Sequence, residues 1–337
     1  MTLARIAAAA SVSIKTVSLA LRGDPSVASK TAQRIQQLAL QLGYTGRANR
    51  RQTIGVVVPY IGHRVYSELF AYLRQEAATF DFATLLGEGT GDPATEKGLI
   101  GELRWRGVDG LILIAPRLSA DEIDLESRAH QPIVTIGMSV SPGRTCGFNR
   151  IEIDHEAGGR LATEHLLAHG RRRIVYLAGR PLSASDQGRR RGYLAALEHA
   201  TIGVDERLIV ELQSHTVQPW PDYHVGFEQC TQLLTCGVAF DAILAYSDAI
   251  AIGAMRALAD ASRLCVPDDV SMIGFDGLAV GQYMVPRLTS VGIPWYRVAL
   301  GALEALVDAM DNDVAPRNLR FAPELRPGET VAAAGKG

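Results

Sequence analysis

Two sets of residues in this sequence have side chains suited to binding chemistry. The first is an N-terminal collection of cations and hydroxyls. Arg5, Lys15, Arg22, Lys30, Arg34, Arg47, Arg50 and Arg51 fall within residues 1–51, against a single acid, Asp24. That segment carries +7, and the rest of the chain carries −9. Such a density of cations attracts a polyanion, and among the hydroxyls of Thr2, Ser13, Thr16 and Ser18, those of Ser13 and Thr16 can reach phosphate oxygens. A basic terminus without a partner is the competing reading, and charge alone does not separate the two. The second set follows apolar runs. Asp276 comes directly after Val270–Phe275. A carboxylate there can accept two hydrogen bonds from adjacent hydroxyls, or it can cap a helix. Tyr60, His63 and Tyr66 follow Ile54–Pro59 in the same manner. Trp220 offers a face on which a sugar stacks, and ordinary packing explains it equally well.

The elements that must position the first set are short helices. Thr2 can cap a helix with Leu3, Ile6, Ala7 and Ala10 on one face. Ser13 can cap a second, Ile14–Leu21, stopped by Gly23-Asp24-Pro25. A third runs from about Ser29 to Leu42, with Ile35, Leu38 and Leu42 inward and Gly43 as its C-cap. Two short helices with a third closing the core is the helix-turn-helix plan. In the second helix Val17 and Leu21 face inward. Ile14, Lys15, Ser18 and Leu19 are left to face a groove, and Ser13 and Thr16 to reach phosphates. A three-helix dimerisation bundle is the alternative, and the basic bias favours DNA.

From residue 54 the pattern is strand, helix, strand, repeated. Ile54–Pro59 is a β-branched run of the kind buried on both faces of a sheet. Strands are expected at 83–86, 108–114 and 132–136, with helices at 68–78 and about 94–106 between them. The cycle restarts at 173–179, 242–245 and 270–275. Two βαβ sets in series imply two doubly wound parallel sheets, and ligands of such folds bind at the C-terminal ends of the strands.

Several motifs carry a family resemblance. In the head they are Thr2-Leu3-Ala4-Arg5-Ile6-Ala7, Val12-Ser13-Ile14-Lys15-Thr16-Val17-Ser18 and Leu42-Gly43-Tyr44. In the body they are Val108-Asp109-Gly110-Leu111-Ile112, Gly170-Arg171-Arg172-Arg173-Ile174, Val266-Pro267-Asp268-Asp269-Val270-Ser271 and Pro286-Arg287-Leu288-Thr289-Ser290-Val291. The sequence resembles the lactose- and galactose-repressor (LacI/GalR) family over nearly its whole length. The resemblance implies an α/β protein with a helix-turn-helix head at 1–46 and a two-lobed, periplasmic-binding-protein-like sensor. The lobes would span 54–152 plus about 285–315, and 153–284 plus about 316–332. It implies a homodimer on operator DNA, with Ile14, Lys15 and Leu19 at the base-reading positions. It also implies a small polar effector, a sugar or sugar acid, between the lobes. Arg189 matches the family's effector-binding arginine, Tyr66 an aromatic cleft position, and Ser247 a position often held by Asn. Ser183 and Ser185 share the loop of Arg189, and Asp248 is expected to cap a helix.

Three departures stand out. Ser11 occupies the turn position usually held by Gly, which costs a little if the residue needs a positive φ. Leu19 replaces a frequent Arg and can offer a base only apolar contact, such as with a thymine methyl. Residues 47–53 are too few for the family's hinge helix and have no Leu to wedge between bases. Arg47, Arg50 and Arg51 remain to grip phosphates or a narrow minor groove.

Other classes lack their signatures. Gly87-Glu88-Gly89-Thr90-Gly91 does not have dinucleotide-loop spacing, and there is no G-x-x-x-x-G-K-[ST] or G-x-S-x-G. His165 and His169 sit four apart without a third ligand in sequence, so no metal or cofactor is expected. No apolar run reaches membrane-spanning length, and the first residues do not read as a secretory signal. A cytoplasmic protein is expected, with Cys146, Cys230, Cys236 and Cys265 as free thiols in or near the core.

Overall fold

The computed structural model describes all residues except 1–2, 22–23, 43–51, 130, 139, 142, 180–182, 212–221, 262–263, 312–313 and 334–337. The head contains α1 (Leu3–Ala10), α2 (Ile14–Leu21) and α3 (Ser29–Gln41). Their apolar stripes meet in a small core in which Ile6, Val17 and Ile35 are completely buried, with Leu38 and Leu42 against it. Ser13 Oγ accepts from Thr16 N at 3.0 Å and so caps α2. Ser11, in the turn, takes φ 55°, the left-handed conformation for which Gly is the usual choice. The expected caps Thr2 and Gly43 lie outside the described residues, as do Arg22, Arg47, Arg50, Arg51 and Trp220.

The body continues through β1 (Gln52–Val58), α4 (Arg64–Thr79), β2 (Phe82–Glu88), α5 (Pro93–Trp105) and β3 (Gly110–Ile114). It then forms α6 (Ala120–Ala129), β4 (Ile133–Ile136) and β5 (Asn149–Ile153). Next come α7 (His155–Ala168), β6 (Ile174–Leu177), α8 (Ala184–His199), β7 (Ile209–Val210), α9 (Asp222–Thr235), β8 (Ala242–Ala245), α10 (Asp248–Ala261), β9 (Ser271–Asp276) and β10 (Thr289–Gly292). The chain closes with α11 (Trp295–Asp311), β11 (Asn318–Phe321) and β12 (Glu324–Arg326).

The chain divides into two units. One comprises Met1–Ile61, Tyr66–Glu152 and Trp295–Leu319; the other comprises Gly62–Val65, Ile153–Pro294 and Arg320–Gly337. Each holds a six-stranded sheet, ordered β11-β5-β4-β3-β1-β2 in the first and β12-β10-β9-β8-β6-β7 in the second. The central pairings are parallel, and β12 runs antiparallel to β10. Because β10 hydrogen-bonds to β9, the crossing into the first unit comes at Trp295, where the sequence reading put it near 285.

The same device starts a central strand in each sheet. Asp109, ahead of β3, accepts from Thr53 N at 2.9 Å and donates its own N–H to Thr53 O, fixing the start of β1. Asp241, ahead of β8, accepts from the backbone N–H of Arg172 and Arg173 and ties the start of β6. These contacts account for the acid at each place. Of the four cysteines, Cys146 and Cys230 are buried as expected. Cys236 and Cys265 are exposed, because each lies in the chain just outside a packed element rather than on its inward face.

Candidate effector site and DNA-reading head

The candidate effector residues of the second unit collect at the C-terminal ends of β6, β8 and β9, around Arg189 on α8. Three anchors place that helix. Ser183 Oγ accepts from Asp186 N at 3.2 Å and caps it. Asp186 Oδ1 accepts from Tyr176 Oη at 2.9 Å and from Gly179 N at 2.8 Å, which ties the first turn of α8 to the end of β6. Burial pushes the Asp186 carboxyl up from its ordinary value, and it pushes the Tyr176 hydroxyl well up, so the tyrosine stays a donor. Finally, α8 lies against α7 at backbone distance. A Cβ on Gly159 would overlap the carbonyl of Arg189, and one on Gly192 would overlap that of Glu156.

Arg189 is thereby held with only 4% of its surface exposed. Its Nη2 donates to Asp276 Oδ1 at 3.0 Å, and Nη1 donates to Tyr246 O. Its guanidinium carbon lies 3.7 Å from the Phe275 ring centroid and 4.4 Å from that of Tyr246, between two π faces. Nε approaches His155 Nδ1 at 3.4 Å. Burial, and then the neighbouring guanidinium, push His155 well down, so it is a neutral acceptor. Burial opposes the charge on Arg189, but Asp276, together with Tyr246 and Tyr176, outweighs it and the guanidinium is held above its ordinary value.

Asp276 itself has φ 104°. That conformation is rare for a residue with a side chain, and strain of this kind collects at sites of function. Beside it, Asp248 is fully buried. Asp248 Oδ1 accepts from Ser290 Oγ and Oδ2 from Leu278 N, each at 2.6 Å. Burial, followed by the charge of Asp276, pushes the Asp248 carboxyl up to about 8. Asp248 is therefore not the helix cap expected of it. Ser247 caps α10 instead, accepting from Ile250 N at 3.2 Å, because the acid is turned to the loop after β9.

Of the other candidates, Ser185 Oγ shares a hydrogen bond with Tyr246 Oη at 2.8 Å and borders the same cluster. Tyr60, in the loop after β1, and Tyr66, in the first turn of α4, are half-buried in the first unit; His63 belongs to the short segment grouped with the second. Sequence reading missed His155, Asp186, Tyr246 and Phe275. Phe275 had a usable signal, being next to Asp276. The others become visible only when strand ends converge.

In the head the structure departs from the expected free reading face. Ile14 and Leu19 are half-exposed, and Ser13 and Thr16 share a hydrogen bond at 2.9 Å. Lys15 and Ser18 instead face α4. Lys15 Nζ donates to Glu76 Oε2 at 2.9 Å, and Ser18 Oγ donates to Thr79 O at 3.1 Å.

Residues 2–46 match the bacterial regulatory proteins of the lacI family, and residues 163–331 match the periplasmic binding protein-like domain. The chain is 32% identical to the HTH-type transcriptional regulator AscG of Escherichia coli over 326 residues, covering 94% of each chain. It is 30% identical to the regulator GalR of the same organism, covering 96% of this chain and 94% of GalR. The crystal structure of the E. coli repressor AscG superposes with TM-score 0.72 at 30% identity, over 84% of this chain and all of that one. The lac repressor dimer bound to operator, at 24% identity, shares the fold with TM-score 0.73 over 99% of both chains. A helix-turn-helix head joined to two parallel-sheet units is the architecture of a transcription regulator, not of an enzyme. The chain belongs to the LacI family of bacterial transcriptional regulators. Among the described residues no helix is long and apolar enough to cross a membrane.

Proposed function

We propose that the chain represses transcription as a homodimer whose operator affinity is set by a small neutral or acidic sugar bound against Arg189 and Asp276. The observation that carries the reading is the Arg189–Asp276 pair, clamped between two rings at the strand ends where α/β folds bind ligands. The guanidinium offers N–H donors and the carboxylate acceptors, a combination matched to vicinal hydroxyls. Ser185, Ser247 and Ser183 add hydroxyls, and Tyr60, His63, Tyr66 and Trp220 complete the proposed set from elsewhere in the chain. A solved relative, the regulator CelR, is a complex with cellobiose, and it shares 28% identity with TM-score 0.70.

On the DNA side, Ile14, Lys15 and Leu19 read bases. Ser18 faces the groove beside them, and Thr2, Ser13, Thr16, Arg22, Arg47, Arg50 and Arg51 hold the backbone. Two copies put two α2 helices into successive major grooves of a near-palindromic site. Effector binding changes operator affinity by a coupling of about 1–3 kcal/mol. The test is a thermal-shift screen of sugars and sugar acids on the full chain, with hits repeated on Asp276→Asn and in operator binding. The reading requires a ligand that raises the melting temperature, loses that effect in the variant, and alters operator affinity. A hit that stabilises both proteins equally, or leaves operator affinity unchanged, would refute it.

A further inference from the structure

We infer that the face formed by the end of α4 and the start of α11 is a docking site for the chain's own recognition helix, one that competes with DNA for Lys15 and Ser18. The inference rests on the DNA-reading role proposed for α2.

The C-terminal turn of α4 has no Lys or Arg of its own. A helix end presents unsatisfied carbonyls and a partial negative charge, and a cation there is favourable. This one adds a carboxylate: Glu76 sits in that turn and, with the head packed against it, is only 1% exposed. An isolated carboxylate so far from water is costly unless paired. Its partner is supplied by the head. Lys15 Nζ donates to Glu76 Oε2 at 2.9 Å, and the hydrogen bond to Glu76 holds the ammonium above its ordinary value. Ser18, one turn along α2, fills a carbonyl of the same helix end by donating to Thr79 O at 3.1 Å. Tyr296 also bears on the Lys15 ammonium and is itself set edge-on against Tyr72 of α4, with ring centroids 6.1 Å apart. The head, part of the segment 1–51 that carries +7, thus meets a carboxylate and a helix-end carbonyl of a body that carries −9.

The residues used are those a groove would need. With Ser18 only 6% exposed and Lys15 ion-paired, α2 cannot enter DNA in this arrangement. The head must leave α4 first, so the docked population lowers apparent affinity by the fraction it withholds. Operator DNA and Glu76 compete for one ammonium.

The experiment measures affinity of the full chain for a 30-base-pair mixed-sequence duplex and for its selected site. Glu76→Gln is expected to tighten binding of both by about 3- to 10-fold, and Glu76→Lys by more, as the undocked fraction rises. Glu102→Gln, which removes an exposed carboxylate on α5, controls for net charge and is expected to leave affinity unchanged. Equal affinities for wild type and the Glu76 variants, or an equal gain in Glu102→Gln, would overturn the docking.

Cross-linking provides a test that leaves Glu76 intact, in case its variants fold poorly. Ser18→Cys with Thr79→Cys, in a background of Cys236→Ser and Cys265→Ser, is treated with a short bismaleimide. The expected result is an intramolecular link in free protein that saturating duplex suppresses. No link in free protein, or the same link with duplex bound, would overturn the inference. A protein that links when free yet binds no duplex would defeat the DNA reading of the head while supporting the docking.

Discussion

Arg189 and Asp276 come from helix and strand 87 positions apart and meet at 3.0 Å, both all but sealed from solvent. Neither the ring sandwich of Tyr246 and Phe275 nor the neutral His155 supplies a second anion, so Asp276 is the charged partner on which the guanidinium depends.

Breaking that pair from one side should therefore be expensive. Asp276→Asn keeps the shape and suits the unusual backbone better than a larger residue, yet leaves a buried guanidinium without its counter-charge. A loss of about 3–5 kcal/mol is expected in chemical denaturation. Arg189→Met combined with Asp276→Asn should recover part of the loss, because the uncompensated charge is gone. A double variant no better than the single one would show that the two residues act independently.

Asp248 makes a pH prediction. Its native carboxyl lies at about 8 against an ordinary 3.8, so the native state keeps a proton that the unfolded chain releases. Its contribution to stability is complete below about pH 4 and is lost as pH rises through 8. Carbon-13 NMR of the side-chain carboxyl should find this titration near 8. In Asp276→Asn it should move down, because a repelling charge has been removed. A titration that stays in place in the variant would exclude Asp276 as a cause.

Helix packing sets the position of Arg189. Gly159→Ala would drive a methyl into the Arg189 carbonyl, and backbone cannot swing aside as a side chain can. Overpacking of this kind costs typically about 1–3 kcal/mol. The distinguishing outcome is functional: effector affinity should fall more in Gly159→Ala than in Gly203→Ala, where a methyl meets open space. Equal effector affinity in the two would separate helix spacing from the site.

The head carries a specificity prediction. Leu19 presents only methyl groups to a base, whereas Arg at that place can donate twice to guanine. In binding-site selection, Leu19→Arg should move one position of each half-site toward guanine, with discrimination of about 1–3 kcal/mol. An unchanged selected sequence would mean that Leu19 does not read a base.

The sequence revealed most of what local periodicity can encode. The three head helices and the central strands were legible because apolar spacing and caps determine them; the turn at Ser11 was marked only by the family resemblance, as a place usually held by Gly. Short strands such as β7 and β12, two and three residues long, carry too few alternations to register. Asp276 and Arg189 could be singled out by position and by family motif. Their pairing could not, and nor could the contributions of His155 and Tyr246, since those arise where separate strand ends converge. Burial of Ser18 was the opposite of the expectation. Helical periodicity says which face of α2 is turned from its own core, but not what else in the chain covers it.

Sequence-specific DNA binding is tested most directly by selection from a random duplex library with the purified full chain, followed by salt titration of the enriched duplex. A repressor of this kind enriches a two-fold symmetric sequence, and its affinity falls steeply with salt, at a slope of about −0.9 per phosphate neutralised. A folded, dimeric protein that enriches no sequence would contradict that function.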